Sequence, residues 1–157
     1  MAEARFQGDS ATEAGLRAAA LEIFRRALDA VDGFDVVFRA IHADGSAVSF
    51  RAGAAGPFPI FPPARVRVVG AGKASGYMAA AVEAALRERV FAGVVCVPRG
   101  RSIPLERIEL IEGGHPLPDA AGTRGARAIR RLLRETRPRD LVVNLVSGGG
   151  SALLLSL

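Results

Sequence analysis

The sequence predicts an α/β fold, a Rossmann-like, mostly parallel sheet with flanking helices, and two observations carry that prediction. From Arg65 onward, short apolar runs rich in β-branched residues alternate with alanine- and leucine-rich stretches. That alternation marks βα units whose strands are covered on both faces. Three of the apolar runs also lead directly into glycine-bearing segments. In a parallel sheet such segments gather along one carboxyl edge, where open α/β folds bind ligands.

Taken in chain order, residues 1–10 read as a flexible tail. Ser10 and Glu13 form a capping-box pattern, and Leu16, Ala20, Ile23, Phe24, Ala27, Leu28 and Val31 then recur at helical spacing, which predicts a helix over residues 11–30. Residues 35–42 fit a short helix or a strand, since Val36, Val37 and Ile41 suit both. Asp44-Gly45 signals a turn before a strand at 47–51, and the proline- and glycine-bearing stretch 52–63 reads as a loop. Strands are then expected at 67–69, 93–97, 108–111 and 141–146. Helices are expected at 74–89 and 120–136, the latter with Ala126, Ile129, Leu132 and Leu133 facing inward.

Composition narrows the class. Half of the 157 residues are hydrophobic, enough for a buried core in one domain, and the 18 glycines and 9 prolines show no period. The single cysteine, Cys96, lies in the run Val94 to Val97, which suits a packed, reduced thiol and excludes an intrachain disulfide. The opening MAEARFQGDS carries two acids and no apolar stretch, so no secretory signal is read there and a cytoplasmic location is expected. The most apolar segment, residues 141–157, is interrupted by Asn144 and Gly148 to Gly150 and falls short of the roughly 20 residues of a spanning helix. No membrane association is expected.

The net charge of +5 rests almost wholly on arginine, for Lys73 is the sole lysine among 21 basic residues. An ammonium is a compact point charge and a guanidinium a planar fork, so Lys73 marks either chance or a site that needs the former. It sits in Val68-Val69-Gly70-Ala71-Gly72-Lys73-Ala74-Ser75-Gly76, an apolar run entering glycines and then a helical stretch. This is not a Walker A loop, because Arg67 stands where the first glycine belongs and Ala74 where Ser or Thr would follow the lysine. Nor is it a strict GxGxxG, with Ser75 at the third glycine position. It reads as a tight turn or as an anion site at a helix start, and a cation at that helix end favours the anion site.

A second segment, Ser147-Gly148-Gly149-Gly150-Ser151, follows the last apolar run. Three successive glycines suggest close approach of the backbone to a phosphate or carboxylate, against the alternative of a flexible turn. The third is Gly113-Gly114-His115-Pro116-Leu117-Pro118-Asp119. Asp119 reads as an N-cap, and His115 as an orienting hydrogen-bonding group. The arginines at 124, 127, 130, 131, 134, 137 and 139 raise nucleic acid as a partner, but no recognised motif accompanies them and the only tyrosine, Tyr77, lies elsewhere. A solvated helix face is the reading adopted, with no nucleic-acid partner.

The segments GAGKAS near residue 70, GGHPLPD near 115 and VSGGGSALL near 147, in that order, resemble the glycerate 2-kinase family whose carboxyl half carries the MOFRL domain. The likeness covers residues 11–157 and is weakest over 32–63. It implies a large Rossmann-like amino-terminal domain of which this chain is a part, with the carboxyl-terminal domain absent and supplied by a missing half or an oligomer. It further implies glycerate and ATP as ligands, a divalent metal (Mg2+), and transfer of the ATP γ-phosphoryl group. Lys73 would be the active-site lysine, Gly70, Gly72, Ser147, Gly148, Gly149, Gly150 and Ser151 would bind ligand, and His115 would line the substrate side. No metal ligand can be named in the sequence. Phosphoryl transfer depends on positioning and charge compensation, so the isolated chain is expected to be inactive. An autonomous anion-binding module and a hydroxypyruvate reductase, a name the family has also carried, stand as alternatives.

Overall fold

The computed structural model describes residues 10–44, 47–51, 57–60 and 65–155. The expected tail at 1–9 lies outside them, as do the Gly45 turn position and most of the 52–63 stretch. The chain divides into two units, residues 1–32 and 33–157. In the first, helix α1 spans Ser10–Ala30, one residue longer than its periodicity predicts. It carries the i,i+4 pairs Glu13–Arg17 (3.9 Å) and Glu22–Arg26 (2.7 Å).

The second unit opens with helix α2 (Gly33–Ala40), which resolves the helix-or-strand ambiguity of this stretch. Strands β1 (Ile41–Asp44), β2 (Ala47–Arg51) and β3 (Pro57–Ile60) follow as an antiparallel sheet in that order. β3 corrects the expectation of a loop. Pro57 and Pro59 sit at alternate positions of an edge strand, so both missing N–H donors belong to one side of the backbone.

The remaining elements are β4 (Val66–Ala71), α3 (Ser75–Leu86), a 3-10 turn at Arg87–Arg89, β5 (Val90–Pro98), β6 (Ile108–Gly113), α4 (Ala120–Arg134), β7 (Leu141–Val146) and the single turn α5 (Gly150–Leu153), with no helix between β5 and β6. The four strands form a wholly parallel sheet in the order β6-β5-β4-β7, so the order reverses beside β4. The expected parallel sheet with flanking helices is therefore present, and a three-stranded antiparallel sheet accompanies it.

Each face of the parallel sheet has its own core. Val66, Val68, Val95, Val97 and Leu145 pack with Ala79, Val82 and Leu86 of α3, and Ile41 and Val48 of the small sheet join them. Val69, Ala71, Val94 and Cys96 pack with Ile129 of α4 and Leu153 of α5 on the other face. In α4 the inward stripe runs through Gly122, Gly125, Ala126 and Ile129, with Leu132 partly buried. Leu133, expected to face inward, is 37% exposed. The small residues let α4 approach the sheet closely, and that rotates the stripe away from it.

Arg67 is a buried charge inside an apolar strand, 1% exposed. Its guanidinium is satisfied on all sides. Nε donates to Asp140 Oδ2 (3.3 Å), and Nη2 and Nη1 donate to the carbonyls of Glu135 (2.9 Å) and Leu132 (3.4 Å). A buried ion persists when paired and hydrogen-bonded in this way, and removing one partner is costly. Asp140 in turn is held below the usual carboxylate range, first by the Arg137 amide and then by Arg67.

Burial pushes the Cys96 thiol up to about 11, so it behaves as a packed apolar group. A Cβ at Gly125 would collide with its Sγ. We therefore expect Gly125→Ala to destabilise by about 1–3 kcal/mol through overpacking. In a Cys96→Ala background, where Sγ is gone, the same substitution should cost far less, a difference readable as shifts of urea midpoint.

Candidate functional site

The β4–α3 turn and the β7–α5 turn lie side by side on the carboxyl edge because their strands are neighbours, with Ala71 opposite Val146. The two turns are joined by backbone. The Lys73 amide donates to the Gly148 carbonyl (2.9 Å), the Ala74 amide to Ser147 Oγ (3.0 Å), and the Ser147 amide to the Ala71 carbonyl (3.2 Å). Ser75 Oγ donates to the Leu145 carbonyl (3.1 Å) and lies 3.1 Å from Ser147 Oγ. With its one proton so used, Ser75 accepts from the Ser147 hydroxyl. This brace is a role for Ser75 that the sequence did not reveal, beyond its departure from the third glycine of GxGxxG.

Glycine is what lets the turns meet. A Cβ at Gly70 would collide with the Leu145 carbonyl, and one at Gly72, whose φ is +146°, would collide with the Ser147 side chain. Gly72 N–H is engaged with the Cys96 carbonyl (3.1 Å). The amides of Gly72, Lys73, Ala74 and Ser75 are thus all consumed within the protein. Gly70 and Gly72 supply close approach rather than free donors. The unspent amides lie in the facing turn, where those of Gly148 and Gly149 donate to no acceptor among the described residues.

The third segment reaches the same place from β6. A Cβ at Gly149 (φ +88°) would stand 2.7 Å from His115 Nε2 and 3.4 Å from Lys73 Cγ. So Lys73, His115 and the Gly148–Gly150 turn converge, with Gly149 between the two side chains. Lys73 is exposed and has no carboxylate within ion-pair distance among the described residues. Ser151 is exposed at the start of α5. An unpaired ammonium, two unspent amides and an imidazole thus share one ledge, and these are groups of the kind that bond anions.

Residues 19–156 match the family model described as "Domain of unknown function (DUF4147)". The chain belongs to this family. Among relatives of this DUF4147 chain, a protein of Agrobacterium vitis named "Putative hydroxypyruvate reductase" is 47% identical over 98 residues, covering 62% of this chain and 22% of the relative. The "Glycerate 2-kinase" of Pyrococcus horikoshii is 43% identical over 89 residues, covering 57% and 20%. The crystal structure of glycerate kinase from Thermotoga maritima superposes with a TM-score of 0.69 at 28% identity, covering 89% of this chain and 30% of that one. The chain spans about a fifth of the length of the two curated relatives.

Asp119 of the DUF4147 chain holds the histidine loop to α4. As the sequence suggests, it caps the helix, accepting from the amides of Ala121 (2.9 Å) and Gly122 (3.2 Å). The ion pair it makes with Arg99 is the main cause of a carboxyl held well below its usual range, followed by the Gly114 and Gly122 amides. A depressed folded-state pKa stabilises the fold above the unfolded value of about 3.9 and ceases to do so as pH falls. Urea melts should therefore lose stability below about pH 4. Asp119→Asn should be less stable than the parent at pH 7 and lose less on acidification.

Gly149→Ala should strain the left-handed turn and crowd His115, costing about 1–3 kcal/mol. Gly148→Ala, with open space around its Cβ position, should meet no such crowding. The pair of urea midpoints tests whether the turn is held as described.

Proposed function

We propose that this chain forms the phosphate-side wall of a glycerate kinase site, in a protein that transfers the γ-phosphoryl group of ATP to glycerate. The observation that carries the reading is the unpaired Lys73 ammonium beside the unspent amides of Gly148 and Gly149 on the carboxyl edge, where the strand order reverses. The names of the relatives from Pyrococcus horikoshii and Thermotoga maritima support it.

In this reading Lys73 offsets negative charge on the phosphoryl group in flight. The Gly148 and Gly149 amides orient its oxygens, and His115 hydrogen-bonds the acceptor substrate from the other side of Gly149. Such preorganised donors need no reorganisation as charge develops, which is how they lower the barrier. A divalent metal is part of the family expectation, but no group of three His, Cys, Asp or Glu that could hold one occurs among the described residues.

A cytoplasmic place of action belongs to the same proposal, supported by the free, buried Cys96. No helix among the described residues is long and apolar enough to cross a membrane.

The name of the Agrobacterium vitis relative supports a second reading, a hydroxypyruvate reductase using a dinucleotide. In dinucleotide-binding folds the pyrophosphate sits on amides of the first βα turn. Here the Lys73 and Ala74 amides are bonded to Gly148 and Ser147, which favours the kinase.

The test is ATP-dependent phosphorylation of glycerate by the chain alone and by a form extended through the downstream reading frame, with NADH oxidation by hydroxypyruvate in parallel. We expect kinase turnover only in the extended form, and Lys73→Ala to lower its kcat/KM by about 100- to 1000-fold. Unchanged activity in Lys73→Ala, or reductase turnover without kinase turnover, overturns the proposal.

A further inference from the structure

At the opposite, amino edge of the parallel sheet, Arg65, Arg67, Phe91, Arg134, Glu135, Thr136 and Arg137 line a cavity of about 460 Å3. That volume suits a small ligand. Four arginines line it, and the two carboxylates nearby are already committed. Asp140 pairs with Arg67 (3.3 Å) and Arg65 (3.5 Å), and Glu135 lies 3.8 Å from Arg67. Arg134 and Arg137 have no carboxylate within ion-pair distance among the described residues, and both are exposed.

Two further features bear on what the cavity would hold. The carboxyl end of α4 would ordinarily repel an anion. Arg67 lessens that repulsion, because it donates to the carbonyls of Leu132 and Glu135. Phe91 carries the Arg65 and Arg67 guanidiniums over its ring at 4.6 and 5.0 Å to the centroid, which holds both in place from below.

The geometry points to a second anion site at this edge, taking a small phosphate-bearing ligand of at least two negative charges through Arg134 and Arg137, with Arg65 at its margin. It shares no residue with the glycine turns, so it stands or falls separately from the kinase reading.

Inorganic pyrophosphate is the probe. Calorimetric titration into the 157-residue chain at low ionic strength should show saturable binding to one site outside the glycine ledge. Arg134→Ala/Arg137→Ala should weaken this binding about tenfold or more, the ratio expected for losing charge-assisted hydrogen bonds. Both arginines are exposed, so the double variant should keep its fold, as its far-UV spectrum will report. Amide shifts of the parent on titration supply an independent map and should include Phe91, Thr136 and Arg137. Absence of saturable binding overturns the proposal. So does undiminished binding in the double arginine variant, or a shift map confined to residues 72–76 and 147–151.

Discussion

The arrangement depends first on how closely two turns approach one another at the carboxyl edge of the parallel sheet. Gly70 and Gly72 on one strand end leave room for Leu145 and Ser147 on the other, and the amides of Lys73 and Ala74 close the gap. Any Cβ at either glycine would push β7 away from β4, and the Ser75–Ser147 brace would open with it. That approach also decides which groups remain for a ligand. The β4–α3 turn spends its donors on the protein, so an anion arriving at this edge meets the Gly148–Gly149 amides and the Lys73 side chain instead.

A comparable constraint operates at the other end of the same strands. Arg67 enters a fully buried position at the start of β4, and Asp140, at the entry to β7, answers it. An isolated charge there would be prohibitively costly, so the pair ties the α4–β7 connection to the sheet. β4 and β7 are thus fastened at both ends by polar contacts and along their length by apolar ones. The two edges carry opposite solutions to one problem. Glycine and backbone amides serve where the chain must come close, and side-chain charge serves where it must span a distance.

Much of this was legible in the sequence, and the reasons differ from element to element. Strand β5 stood out because burial on both faces demands an unbroken apolar run, as in Val94 to Val97. The capping role of Asp119 was legible because a carboxylate before a helical stretch has few other uses. The strand at Pro57–Ile60 was hidden because proline argues against pairing in general, and only the edge position of β3 makes it tolerable. The exposure of Leu133 was hidden because Gly122 and Gly125, which set the face of α4, carry no hydrophobic signal. Convergence of Lys73, His115 and Gly149 could be anticipated only as a shared edge. Which amides are spent and which are free follows from register, which the sequence does not print.

What the ledge can do by itself is limited by the dielectric in which it works. Lys73 and Gly148 are both exposed. A pair of unit charges 4 Å apart gains about 1 kcal/mol in bulk water and about 4 kcal/mol at the effective dielectric of a partly enclosed site. An ammonium and two amides this open to water therefore act on an anion more weakly than they would where water is excluded. The described residues set an ammonium, two amides and an imidazole on one ledge. The strength of those donors is set by whatever closes over them.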